Sequence, residues 1–446
     1  MHWPRPARRP SHLKRLQSVG FLKTSGVYFA GSVVNGLAFL AFVPVFTRYL
    51  SPADYGIVAT ATVLTSFCVV LQGFNAFGLI ARTYFDHDPH QLVRLVSTAC
   101  WTALAMSLLV FLVLAWGGSW VARWTDFPAN WLPVIVALGF LTVVQTNYQS
   151  LLQARKEPWR YVLNQTTGTV LAIGLSLWLV VGLGWNWQGR LLGMLLGAAA
   201  IGAICFFGLG IRLKLLRFTW SSAAMGQLLR FGIPLIPHVL GGWVMTMSAR
   251  LYLNNMASIA DTGLFSLAFN LAAPLTMMVG ALNNTYYPWL FGKLSDPSSM
   301  DAVRLCRGLL IAAGLLLTSG VIFGLLAVQA LPYIAGPEFQ SAGPYVFWLC
   351  LTAAVSGVYF IFGSFVVYSK KTWLMTWRAD FLGGLALLVL CPLLILWIGP
   401  VGAAVASFLG YVATTAGCII AARKAHPMPW GEALASLFGR KKIVQP

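Results

Sequence analysis

Apolar residues run along this chain in long unbroken stretches, with no alternation of apolar and polar positions inside them. A helix needs roughly 20 mostly apolar residues to cross a bilayer. Windows of that kind fall near 23–48, 53–80, 92–116, 130–153, 160–183, 189–211, 228–252, 261–290, 305–330, 341–368, 372–397 and 400–422. Barrel strands show alternating segments of about ten residues instead, so the pattern predicts an all-α integral membrane protein with about twelve transmembrane helices. Polar residues are left to short connections and to the two ends. Residues 1–22 read as a basic, proline-rich cytoplasmic tail held against anionic headgroups, and 425–446 as a second basic cytoplasmic tail. The apolar run that follows the first tail is too long for a secretory signal.

Composition agrees: 58% hydrophobic and 9% charged residues, at a mean hydropathy of +0.76, leave too little polar surface to clothe a soluble globule. The remaining charge is unevenly placed. With the N-terminus inside, 26 of the 30 Lys and Arg fall in the cytoplasmic connections and tails, and only Arg48, Arg123, Arg190 and Arg250 fall elsewhere. Because cytoplasmic loops retain positive charge, an even number of spans with both termini cytoplasmic is expected. Much of the formal +19 is then topogenic, and with no basic and aromatic binding module between the helices it gives no reason to expect a nucleic-acid partner. The seven cysteines lie in or against the spans without CxxC spacing and read as small hydrophobes rather than disulfides or metal ligands.

The chain also repeats itself. Arg48-Tyr-Leu followed by Ala53-Asp54-Tyr-Gly56 returns as Arg250-Leu-Tyr-Leu followed by Ala260-Asp261-Thr-Gly263. Asp88-Pro89 and Val93-Arg94-Leu95 return as Asp296-Pro297 and Val303-Arg304-Leu305, and Gly189 and Gly197 return as Gly402 and Gly410. Six helices is an even number, so both copies enter the membrane in the same direction and form parallel repeats. Two six-helix bundles, 23–217 and 218–424, facing each other around a central cavity are expected, and rocking of one against the other is the usual route to alternating access.

The stretches RYLSPADYGIVA (48–59), LRFGIPLIPHVLGGW (229–243), ADTGLFSLAFNLA (260–272) and NNTYYPWLF (283–291) resemble the polysaccharide-biosynthesis flippases, the Wzx-type translocases of the multidrug/oligosaccharidyl-lipid/polysaccharide exporter superfamily. The resemblance runs from about Ser25 to about Arg423, as diffuse patterns rather than catalytic fingerprints. It departs at one informative place: the acidic residue usual in that family before the arginine ending the seventh span is Ala249 here, next to Arg250. The resemblance implies a carrier of the bacterial inner membrane that turns an undecaprenyl-diphosphate-linked oligosaccharide from the cytoplasmic to the periplasmic leaflet. Membrane lipids, a polysaccharide polymerase and chain-length machinery are the partners it implies. No cofactor and no catalysis are expected.

Such a substrate asks for cations to meet its phosphates and for amides or aromatics to meet its sugars, both shielded from hydrocarbon. The cationic candidates are Arg48, Arg82, Arg230, Arg250 and Arg378, with His238 titratable near neutral pH. Snorkelling at helix ends is the competing account of Arg82 and Arg230, anchoring that of Arg48 and Arg250, and an interhelical salt bridge that of Arg378. The amide candidates are Asn35, Asn75, Gln145, Gln149 and Asn270, for which interhelical hydrogen bonding is the plainer role. Pro234 and Pro237 each remove a backbone donor in the seventh window, which suggests a hinge with His238 beside it; a static kink is the alternative.

Two other functions fit parts of this pattern. A cation-coupled multidrug exporter would share fold and repeat, but the first and seventh windows contain no Asp or Glu for it to titrate. A membrane glycosyltransferase or polymerase would need paired outward carboxylates, and only isolated Asp54, Asp126, Asp261 and Glu338 lie near the outer connections.

Overall fold

The computed structural model describes residues 11–437 apart from 86–87, 218, 234–235, 296–300, 370 and 372–378. Fifteen α-helices follow one another: α1 Ser11–Tyr49, α2 Pro52–Gly73, α3 Ala76–Tyr84, α4 Pro89–Thr125, α5 Leu132–Ala154, α6 Pro158–Leu177, α7 Trp187–Phe207, α8 Ser222–Gly232, α9 Ile236–Met256, α10 Ile259–Leu294, α11 Ala302–Ile334, α12 Gly343–Tyr368, α13 Phe381–Ile398, α14 Gly402–Ala425 and α15 Trp430–Leu437. No strand occurs among the described residues. Ten helices there are long and apolar enough to cross a membrane, and the first and seventh expected spans are α1 and α9.

Several boundaries differ from the sequence expectation for physical reasons. The second window is two helices, because Phe74 and Asn75 both adopt left-handed backbone (φ 45° and 53°) and stop α2 before α3 begins. The seventh window is also divided: α8 ends at Gly232, whose Cα lies against the carbonyl of Phe74, and α9 starts at Ile236. Pro237 is therefore the second residue of a helix, where no intrahelical donor is due. Pro234 lies outside the described residues, as do the side chains of Pro237 and His238. In the eleventh window the described helix starts at Phe381, and Arg378 lies outside the described residues.

The internal repeat is realised in the packing. In the first half, Gly189 approaches Leu179 and Gly197 approaches Ala172, bringing α7 onto the α6 hairpin arm. In the second, Gly402 approaches Leu394 and Gly410 approaches Leu387, bringing α14 onto α13 in the same manner. Ser51 caps α2 through the backbone N–H of Asp54, and Ser258 caps α10 through that of Asp261, each satisfying an otherwise orphaned donor. Each half has its own core. Ile80, Leu95, Leu151 and Cys205 are buried in the first, and Leu267, Phe339, Cys350 and Ala403 in the second. Beyond α14, Trp430 packs on Phe362 and Phe365, fixing α15 to the end of the second half.

The halves meet most closely where α2 crosses α10. Gly56 lies on the carbonyl of Ile259 and Gly263 lies on the carbonyl of Pro52, a reciprocal contact that leaves no room for a Cβ on either glycine. Around it, the backbone N–H of Gly336 donates to Thr47 Oγ1 (3.1 Å), and Asn254 Nδ2 donates to Thr60 Oγ1 (3.3 Å) and to the carbonyl of Thr125. All these residues sit at the end of the bundle remote from most of the Lys and Arg. Toward the basic end, Trp243 donates to Ser66 Oγ at 3.0 Å.

Replacing Gly56 or Gly263 by Val is expected to cost about 1–3 kcal/mol by overpacking and to lower the melting temperature of the detergent-solubilised protein by a few degrees. Gly314→Val, at a position with open space around it, is expected to leave the transition unchanged.

An arginine-lined cavity between the two halves

A cavity of about 250 Å³ lies just inside the α2–α10 crossing. Its walls come from α1, α2 and α7 of the first half and from α9 and α10 of the second. Two arginines line it, one from each half: Arg190 and Arg250, 9% and 7% exposed respectively.

Arg190 sits in the first turn of α7, its guanidinium 4.4 Å above the Phe46 ring, with Nη1 donating to Ser176 Oγ at 2.9 Å. Arg250 lies near the end of α9. Its Nε donates to Ser266 Oγ (3.0 Å), its Nη1 to the carbonyl of Thr246 (2.8 Å), and the guanidinium stands 4.6 Å from the Phe269 ring. Where the family resemblance leads one to expect a carboxylate, a hydroxyl, a carbonyl and an aromatic face hold the charge. Among the described residues neither arginine has an Asp or Glu within ion-pair distance. Tyr55 lines the cavity beside them, accepting at its hydroxyl from Asn270 Nδ2 (3.0 Å) and packing edge-on against Phe339.

Burying two cations is costly unless something compensates them. Cation–π faces and neutral acceptors recover part of that cost, and they leave guanidinium donors and net positive charge directed at a common space. An arrangement of this kind is chemically suited to an anion, and it offers no carboxylate for a cation.

Of the residues singled out from the sequence, the structure brings Arg250 and Asn270 to this cavity. Arg48, Arg82 and Arg230 are exposed and do not line it. Asn35 ties α1 to α6, donating to the Gly31 carbonyl (2.8 Å) and to Thr166 Oγ1 (3.1 Å). Gln149 donates to Asn164 Oδ1 (3.2 Å), and Asn164 in turn to Cys205 Sγ (3.2 Å), linking α5, α6 and α7. Gln145 packs against Gly168 of α6. Asn75 heads α3 at the left-handed break, its Nδ2 buried without a protein acceptor. These amides lie within the first half, away from the arginine pair. His238 and Arg378 cannot be placed, their side chains lying outside the described residues.

Arg190 is the residue that reasoning from sequence passed over. Its signal was present, since it is one of only four cations outside the cytoplasmic segments and stands at the start of an apolar window.

A two-lobed membrane bundle of parallel repeats with a basic cavity between its lobes has the architecture of the multidrug/oligosaccharidyl-lipid/polysaccharide exporter superfamily. Within it, the chain belongs to the family described as polysaccharide biosynthesis protein, which matches residues 21–292. It is 22% identical over 362 residues to Lsg locus putative protein 1 of Haemophilus influenzae, covering 79% of this chain and 86% of that one. It is 25% identical over 349 residues to the succinoglycan biosynthesis transport protein ExoT of Rhizobium meliloti, covering 75% and 66%. Among solved structures, the lipid II flippase MurJ in an inward closed conformation superposes with a TM-score of 0.73 at 13% identity, over 92% of this chain and 90% of that one. An inward-facing multidrug resistance transporter of the MATE family gives 0.61 at 13% identity, over 92% and 96%.

Asn254→Ala removes bonds that join the halves beside this cavity. At about 0.6 kcal/mol per such bond in a membrane, the open population of this end should rise about threefold per bond. Faster maleimide labelling of a Thr62→Cys reporter on the cavity wall would show it, and an unchanged rate would mean that the bonds do not hold this end closed.

Proposed function

We propose that the protein is a flippase that carries an undecaprenyl-diphosphate-linked oligosaccharide, an O-antigen or exopolysaccharide repeat unit, from the cytoplasmic to the periplasmic leaflet of the bacterial inner membrane. The observation that carries this reading is the pair Arg190 and Arg250, contributed by opposite halves to one cavity without a carboxylate partner among the described residues. A diphosphate can accept hydrogen bonds from both guanidinium groups at once, so an anion in the cavity engages both halves. Tyr55 and Asn270 add neutral polar groups for the proximal sugar.

The cavity holds about eight water volumes, enough for a diphosphate and too little for an oligosaccharide. The glycan must therefore enter as the halves part, while the lipid tail stays in the bilayer. In this reading both termini are cytoplasmic, 23–217 and 218–424 are the units that rock, and the basic end faces the cytoplasm. Arg82 and Arg230 lie on the approach from that end, with Arg48 at the opposite end. His238 and Arg378 are proposed to contact the substrate along its path, and the Pro234–Pro237 segment to take up the bending between α8 and α9. A polysaccharide polymerase and its chain-length machinery would receive the product.

The test is reconstitution into liposomes with labelled polyprenyl-diphosphate oligosaccharide, reading leaflet exposure. Each charge-assisted hydrogen bond contributes about 1.5–3 kcal/mol, so Arg190→Gln and Arg250→Gln should each slow translocation at least about tenfold, with Arg190→Lys retaining part of the activity. Native rates in both Gln variants at equal protein levels would overturn the reading. Efflux of a fluorescent cationic drug without lipid translocation would replace it with that of a drug exporter, and sugar polymerisation alone with that of an enzyme.

A further inference from the structure

A second hollow, about 580 Å³, lies on the outside of the second half between α10, α11 and α12. Its walls are almost wholly apolar, and Met278, Leu282, Trp289 and Leu315 leave it open to the side that faces lipid. Toward the basic end it shares Tyr286, Trp289, Leu309 and Ala312 with a hollow of about 570 Å³ that carries Lys293, Arg304 and Asp301. Toward the other end it shares Met278 and Leu282 with a hollow of about 370 Å³ between α1 and α10, on the seam between the halves. A single trough thus follows α10 from Lys293 to Pro274, about 28 Å by helical rise.

We propose that this trough holds the isoprenoid chain of the lipid-linked substrate, with its diphosphate at Lys293 and Arg304, before the headgroup passes to Arg190 and Arg250. The assignment rests on the flippase reading. In a bilayer an apolar wall gains nothing by swapping one lipid tail for another, so the choice of occupant must come from charge, shape and route. Arg304 is shared with Asp301 at 3.6 Å, whereas Lys293 has no ion pair among the described residues, leaving the mouth net positive. Tyr286, Trp289 and Phe360 make the walls uneven, which favours a methyl-branched chain over straight acyl chains. The trough ends at the seam through which a headgroup must pass to reach the inter-lobe cavity, and most of it is built from one half, so it keeps its shape as the halves move.

The full chain is reconstituted in liposomes with either a diazirine-bearing polyprenyl diphosphate or a diazirine-bearing phosphatidylglycerol, and the labelled peptides are mapped. The polyprenyl probe is expected to label α10 and α11 along the trough and to be displaced by unlabelled polyprenyl diphosphate. Ala312→Trp, which obstructs the junction of two hollows, and the double variant Lys293→Gln with Arg304→Gln should each reduce that labelling about tenfold, the second by removing headgroup attraction at the membrane surface. Equal labelling by phosphatidylglycerol without polyprenyl competition would overturn the assignment, as would undiminished labelling in both variants. If the native protein translocates the oligosaccharide lipid while the trough stays unlabelled, this inference falls and the flippase reading stands. If the native protein translocates nothing, both fall.

Discussion

The architecture turns on the crossing of α2 and α10, where two glycines let backbone rest on backbone across the boundary between the halves. Small residues permit such approach in membranes, where apolar side chains gain little by leaving lipid for protein and close contact must come from shape and hydrogen bonding. The contact is reciprocal because the halves are repeats: Gly56 meets the carbonyl of Ile259, and its counterpart Gly263 meets that of Pro52. Capping by Ser51 and Ser258 fixes where each helix starts, and so fixes the register of this crossing. The arginine cavity lies immediately beneath it because α7 and α9 reach the same level from either side.

Placement of charge follows from that geometry. Symmetry supplies equivalent helices but not equivalent residues. Arg48 and Arg250 occupy matching positions in the repeat, yet Arg48 is exposed and Arg250 is buried. The partner of Arg250 across the cavity is Arg190, from a different helix of the first half. Loss of the acidic residue before Arg250 is intelligible in these terms. A carboxylate at position 249 would offer an internal counter-ion, and Ala249 instead leaves neutral partners that hold the guanidinium without cancelling its charge.

The helix inventory was legible in the sequence because bilayer thickness imposes a length on each span and backbone hydrogen bonding forbids alternatives. The repeat was legible through glycines and caps, which are backbone requirements tied to residue type. What escaped was anything decided by three-dimensional neighbours. The stop at Phe74 and Asn75 involves a phenylalanine in left-handed backbone, which no residue preference announces. The amides read as sugar contacts proved to be the hydrogen-bonding ties of the first half, because an Asn or Gln on a span looks the same in sequence whether it faces a cavity or another helix. Arg190 carried the right signal, a cation against the charge asymmetry, but resembled a helix-end anchor until Phe46 and Ser176 were seen around it.

The distribution of polar ties bears on how the halves can move. Within the first half, side-chain bonds run from helix to helix over much of their length, as with Asn35 to Thr166 and Gln149 to Asn164 to Cys205. Between the halves they gather near the glycine crossing, with the Trp243 to Ser66 bond farther along. Bonds averaging about 0.6 kcal/mol in a membrane can be exchanged without disturbing either core, whereas the apolar clusters inside each half resist shear because they are close-packed. A displacement that opens the arginine cavity therefore costs least when each half moves as a body. An anion held by Arg190 and Arg250 together adds to the ties across the boundary, so its arrival and departure bear directly on whether this end stays closed.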